Sequence, residues 1–171
     1  MKKVAEITEK DLLSTREDSP LFLQTACFTG HRKNVDEEGI FMMKKAVDFA
    51  LALGIKTFLC GMALGFDSIA FDYMLKMKKE RKDISLVACI PCVGQEKYFP
   101  DRERKAYFHR LKQADLVLTL SKEYYSGCMH ARNRFMVDRS LCVIAYLRTE
   151  EGGTGYTVQY AREKARSLVL V

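Results

Sequence analysis

No run of eighteen apolar residues occurs in this chain of 171, so no segment has the length to cross a bilayer as a helix. The first residues, MKKVAEITEKDLL, are charged throughout and lack the apolar stretch of a secretory leader, which makes the cytoplasm the expected location. Histidine is scarce. The three present, His31, His109 and His130, are far apart in sequence, which argues against a histidine-built metal site, and neither HExxH nor GxSxG occurs. A single glycine follows the first apolar run, so the GxGxxG dinucleotide signature is missing. Gly61 and Gly65 have no GK[ST] behind them, which excludes a P-loop. Of the six cysteines, Cys27, Cys60, Cys89 and Cys142 sit inside apolar, strand-like runs and read as small buried hydrophobes of a reducing compartment. Cys89 and Cys92 have CxxC spacing, but no second pair or histidine lies close by. No metal and no cofactor is expected.

With 48% apolar residues the chain is long enough for one domain with a substantial core. Short apolar runs suited to strands cover 24–29, 57–60, 84–90, 115–120, 140–147 and 167–171. Helical spacing fills the gaps. Ile40, Met43, Val47, Ala50 and Leu51 form one stripe, stopped by Gly54, and Ile69, Ala70, Tyr73, Met74 and Met77 form the next. A third helix is expected over 101–113, a fourth from Met129 onward, and a fifth with Val158, Ala161 and Ala165 on its stripe. Strands that are continuously apolar, alternating with helices, imply a parallel sheet covered on both faces. The expected fold is α/β: a Rossmann-like three-layer α/β/α domain over 22–171 with at least five strands in a mainly parallel sheet. It follows an N-terminal extension, 1–21, with one short helix.

The unusual residues cluster by position. The first strand runs into Thr29-Gly30-His31-Arg32, and the second into Gly61-Met62-Ala63-Leu64-Gly65-Phe66-Asp67. The fourth strand is followed by Ser121 and Ser126-Gly127, and the fifth by the loop Gly152-Gly153-Thr154-Gly155. All lie at carboxyl ends of strands, where open doubly wound sheets bind ligands, so one crevice lined by several loops is expected. Glycines ahead of a helix let the backbone approach a ligand, and the amides of residues 153–157, including Thr157, then suit a phosphate. Arg132 shares a helical face with Met129, Phe135 and Met136. An arginine among packing residues needs a partner, and an anion is the obvious one.

Four motifs, TGHR (29–32), GMALGFD (61–67), MVDRS (136–140) and GGTGYTVQYA (152–161), together resemble the YpsA-like branch of the SLOG superfamily of Rossmann-like domains. The resemblance covers about 22–171 and implies binding of a nucleotide or nucleotide-derived ligand. A second likeness is to the LOG phosphoribohydrolases, with patterns MHxRKxxM and PGGxGTxxE. Met129, His130, Arg132 and Met136 match the first, with Asn133 at its lysine. Gly152, Gly153 and Gly155 match the second, with Glu151, Tyr156 and Gln159 at its proline, threonine and glutamate. That likeness implies that Arg132 and the Gln159 position would carry cleavage of an N-glycosidic bond. A neutral amide supplies neither the negative charge nor the base which that reaction needs. Asp67 or Glu163 could substitute in principle; Asp67 ends a neighbouring glycine loop, whereas Glu163 lies a full turn deeper and is expected to face solvent.

The expected function is therefore binding of a phosphoribose-containing small molecule, as in a sensor. Two other readings stay open: a nucleoside-monophosphate N-glycosidase, and nucleic-acid binding of the DprA kind. The last rests on the +6 net charge and the run KMKKERK over 76–82, which otherwise reads as a solvated helix end. The LOG likeness and the aromatics Tyr98, Phe99, Tyr107 and Phe108 point to a homodimer.

Overall fold

The computed structural model describes residues 6–171; the first five residues of the N-terminal extension lie outside the described residues. Six strands form one all-parallel sheet: β1 (Thr25–Gly30), β2 (Thr57–Cys60), β3 (Ser85–Ile90), β4 (Leu116–Thr119), β5 (Cys142–Tyr146) and β6 (Ser167–Leu170). Their spatial order is β4-β3-β2-β1-β5-β6. Seven helices accompany them among the described residues: α1 (Glu9–Leu13), α2 (Pro20–Leu23), α3 (Glu37–Ala52), α4 (Phe66–Glu80), α5 (Asp101–Leu111), α6 (Cys128–Asp138) and α7 (Gly152–Glu163).

The strands bury both faces because each alternation position finds a different layer. Ala26, Phe28, Phe58, Leu86, Ile144 and Tyr146 pack with Met43 and Val47 of α3, Phe71 and Met74 of α4 and Tyr107 of α5. Cys27, Leu59, Val87, Val143 and Ala145 face the other way, onto Met136 and Val137 of α6, Val158 and Ala161 of α7 and Leu12 of α1. The result is the three-layer α/β/α arrangement expected of continuously apolar parallel strands. Helix boundaries follow local chemistry. Asp36 caps α3 by accepting from the Gly39 amide at 2.7 Å, and Gly54, at φ +92°, turns the chain out of it.

The order runs outward from β1 through β2 and β3 to β4, then returns across β1 to β5. That reversal places the switch point between β1 and β5, where the loops after the two strands diverge and leave a crevice. Four local expectations are corrected. The stretch before β1 holds two short helices, and Leu12 is fully buried in the domain core. Residues 152–155 are the first turn of α7, not a loop ahead of it. Ala165 lies beyond that helix, exposed at φ +52°, so the buried stripe ends at Ala161. Finally, Tyr107 is buried and Phe99 packs edge-on against it at 5.6 Å, so only Tyr98 and Phe108 of the four aromatics are exposed, and no continuous aromatic patch forms there.

Candidate functional site

The crevice at the switch point is a cavity of about 350 Å³. From the end of β1 come Thr29, Gly30, His31 and Arg32; from the segment after β2, Ala63 and Asp67; from α6, Met129, His130, Arg132 and Asn133; and from the start of α7, Glu151, Gly152, Gly153 and Thr154. Four segments that are far apart in sequence thus meet at one cavity.

Arg132 is buried beneath this cavity at 3% exposure. Its Nε donates to Asn133 Oδ1 at 2.8 Å, and its Nη1 donates to the Gly61 carbonyl and, at 3.3 Å, to the Cys89 carbonyl. Nη2 has no hydrogen-bond partner among the described residues. The space for the guanidinium exists because residue 61 has no side chain: a Cβ there would stand 2.6 Å from Arg132 Cζ. Asn133 also donates to Thr157 Oγ1 at 2.9 Å, and that hydroxyl donates to the Gly153 carbonyl at 2.7 Å. A continuous chain of polar contacts therefore fixes the arginine relative to the first turn of α7.

Asp67 is the acidic member, 5% exposed in the first turn of α4. Its Oδ2 accepts from the Ala63 amide at 3.1 Å. Burial pushes its carboxyl up from 3.8 to about 6, against the opposing pull of Arg132 and of that hydrogen bond. Burial in turn lowers the proton affinity of Arg132, and the Asp67 charge partly restores it. Arg32 lies at the mouth, exposed, with no ion pair or hydrogen-bonded partner for its guanidinium among the described residues.

The α7 terminus completes the wall. Its N-cap, Glu151, makes no side-chain capping bond, so the amides of Gly152, Gly153 and Thr154 start the helix without a side-chain acceptor. A Cβ added at Gly152 or Gly153 meets nothing within 4 Å, so this backbone borders open space. Gly155 differs, because a Cβ there would collide with the Glu150 carbonyl; it packs the turn and does not line the cavity.

Several expected site residues take other places. Thr157 is a tether between α6 and α7, and from Tyr156 on the amides belong to the helical ladder, so the expected amide row of 153–157 moves to 152–154. Gly61 and Gly65 support the site without lining it. Gln159 is exposed, hydrogen-bonded to Glu163 at 3.2 Å and outside the cavity, because helical rotation turns it away from the buried Val158 and Ala161. Tyr156 stacks on His130 with ring centres 4.2 Å apart, and does not enter the cavity either. His31 is more occupied than expected. Its Nε2 accepts from the Arg148 and Thr149 amides at 2.9 and 3.3 Å, and burial with the nearby Arg148 charge lowers its proton affinity. It thereby braces the loop that leads into α7. Ser121 and Ser126 stay outside the cavity. All six cysteines are buried free thiols, and burial pushes Cys89 up to about 12. No cluster of metal-ligating side chains exists among the described residues. Nor is any of their helices long and apolar enough to cross a membrane.

A parallel sheet with its polar residues gathered at the switch point defines a Rossmann-like domain. The family model described as the YspA SLOG family matches residues 29–168, and the chain belongs to that family. A UPF0398 protein of Halalkalibacterium halodurans is 29% identical over 136 residues, spanning 75% of this chain and 72% of that relative. A UPF0398 protein of Bacillus cereus is 26% identical over 136 residues, with 75% and 74% covered. Among solved structures, DNA processing protein A of Helicobacter pylori, described for its single-stranded DNA binding mode, superposes with a TM-score of 0.65 at 20% identity. It covers 96% of this chain and 69% of its own. DNA processing protein A of Streptococcus pneumoniae gives 0.59 at 19% identity, covering 94% and 51%. At these identities the structural likeness establishes the fold alone.

Proposed function

We propose that the chain binds a nucleotide or another phosphoribose-containing small molecule in the switch-point crevice, in the manner of a sensor. The phosphate sits against the amides of Gly152, Gly153 and Thr154, with Arg132 Nη2 and the Arg32 guanidinium as its cationic partners. The observation that carries this reading is the pairing of an uncapped helix start with a buried arginine whose Nη2 has no hydrogen-bond partner among the described residues. Helix N-termini favour anions, and hydrogen bonds to charged groups are the strong ones. Calorimetric titration with adenosine 5′-monophosphate and ribose 5-phosphate tests it. Arg132→Ala and the exposed Arg32→Ala should each weaken both ligands, Arg132→Ala by roughly 10- to 100-fold. Unchanged affinity in both variants overturns the assignment.

Asp67 favours a second reading, N-glycosidase activity. It lines the same cavity, and a carboxyl near pH 6 is suited to proton transfer. Chromatography for free base after incubation with nucleoside monophosphates, with Asp67→Asn as control, separates binding from cleavage. DNA binding has less support. The run 76–82 lies at the end of α4 away from the crevice, Lys78 pairs with Asp115, and Arg81 pairs with Asp83 at 2.9 Å. A single-stranded oligonucleotide titrated at rising salt tests it, since phosphate contacts produce a steep slope.

A further inference from the structure

Met129, at the start of α6, borders the anion cavity on one side and a second cavity of about 620 Å³ on the other. The second cavity is lined by Gln95 and Tyr98 from the 3₁₀ turn Gln95–Tyr98, by Cys92 ahead of it, and by Lys122 and Tyr124 after β4. Its lining differs from that of the first: the Tyr98 and Tyr124 rings stand with the charged Lys97, Lys122 and Glu123 around one amide.

That amide is unusual. Gln95 is 7% exposed, and its Nε2 donates at 3.2 Å to the Gly61 carbonyl, the same oxygen that receives Arg132 Nη1. A carbonyl only accepts, so this bond identifies the nitrogen end of the amide and leaves Oε1 on the other side. Oε1 is buried and has no hydrogen-bond donor among the described residues. A buried acceptor without a donor is destabilising, and it is satisfied when a ligand brings an N–H or O–H. Around it, Tyr98 is 95% and Tyr124 70% exposed, and neither ring stacks on another aromatic ring among the described residues. Large exposed rings beside an unpaired buried acceptor make a surface suited to a flat, apolar-faced group with a polar edge.

We infer that the second cavity is a nucleobase subsite. A base carrying an amino group stacks on the Tyr124 and Tyr98 side and, as the side chains covering Gln95 move apart, donates to Gln95 Oε1, while its phosphate reaches back past Met129 to the start of α7. The inference rests on the anion-site reading given above, and it narrows the ligand to nucleoside phosphates with an amino-bearing base. Gly61 has a double part in it: one carbonyl orients both Arg132 for the phosphate and Gln95 for the base. The shared anchor holds the two recognition groups at a fixed separation.

The test compares four probes on the full chain by calorimetry: ribose 5-phosphate, adenosine 5′-monophosphate, adenosine 5′-diphosphate, and purine riboside 5′-monophosphate, which lacks the amino group. One or both adenine nucleotides should bind at least about tenfold more tightly than ribose 5-phosphate, as stacking on an aromatic side chain predicts. The unsubstituted purine should lose a large part of that gain. Tyr124→Ala, at an exposed position where folding is not at stake, should cut adenine-nucleotide affinity by roughly fivefold or more and leave ribose 5-phosphate unchanged. Equal binding of ribose 5-phosphate and both adenine nucleotides removes the base subsite while the anion site stands. So does indifference to Tyr124→Ala or to the amino group. Failure of all four probes to bind removes the anion site, and this inference with it.

Discussion

The turns after β2 and β5 both bring glycines to the crevice, and a Cβ added to each meets different surroundings. At Gly61 it would run into the Arg132 guanidinium, and at Gly65, where φ is +77°, into the Arg32 backbone. At Gly152 and Gly153 it meets nothing within 4 Å. In the first turn the missing side chains are replaced by protein: an arginine and a neighbouring loop fill the space. In the second the space stays open beside the uncapped amides of α7. The same residue type is structural in one place and, by our reading, a binding surface in the other; only the third dimension separates the two.

The sharpest way to break this contrast is to add the methyl group at each turn. Gly65→Ala forces a positive φ on a Cβ-bearing residue and a collision with backbone, so a loss of about 3 kcal/mol or more is expected, the upper part of the range for such strain. Thermal unfolding should register it as a fall in Tm of roughly 6–12 °C. Gly153→Ala, in an open helical position, should leave the fold unharmed or raise stability by about 0.5 kcal/mol through helix propensity. Its effect should appear in ribose 5-phosphate affinity instead. Similar stability losses at the two positions would erase the distinction.

The filled turn also holds a proton that the open one does not. Asp67 in the folded chain titrates near 6 against 3.8 when unfolded, so the native state binds the extra proton between those values. The stabilisation is complete below pH 3.8 and is lost as pH rises through 6. Relative to Asp67→Asn, whose amide does not titrate, the unmutated chain should lose about 2 kcal/mol of unfolding free energy between pH 4.5 and 7.5. Urea unfolding of both proteins at the two pH values measures this. A pH-independent difference would mean that the Asp67 carboxyl is not desolvated as described.

The sheet was legible because burial on both faces leaves continuous apolar runs, and the helix stripes gave the layers. The meeting of TGHR, GMALGFD and the α7 glycines was legible too, since carboxyl ends of neighbouring strands must converge. What escaped was orientation at the level of single side chains. Residues 152–155 read as a loop because glycine disfavours helix, yet a first turn needs few intrahelical bonds and tolerates it. Gln95, isolated behind Cys92, carries no periodic or motif signal; it matters only through a bond to a carbonyl 34 residues away in sequence. Asn133 looked like a lost lysine and is instead the link between Arg132 and α7.

The smallest expected effect belongs to the residue that motif spacing made most conspicuous. Gln159 occupies the position of the LOG glutamate, but Val158 and Ala161 face the sheet, and one residue of helical rotation turns Gln159 outward to Glu163. Gln159→Glu therefore adds a carboxylate to solvent, not to the cavity. Four residues before Glu163, the new charge replaces a hydrogen bond with like-charge repulsion worth about 0.2–0.5 kcal/mol. Nucleotide affinity should stay unchanged, and no free base should appear on chromatography. Adding Tyr156→Thr should not alter that outcome, because Tyr156 stacks on His130 and takes a hydrogen bond from Arg134 at 2.7 Å, outside the cavity. Base release gained by Gln159→Glu would mean that α7 rotates when ligand binds, and the open face of the crevice would then have to be redrawn to include it.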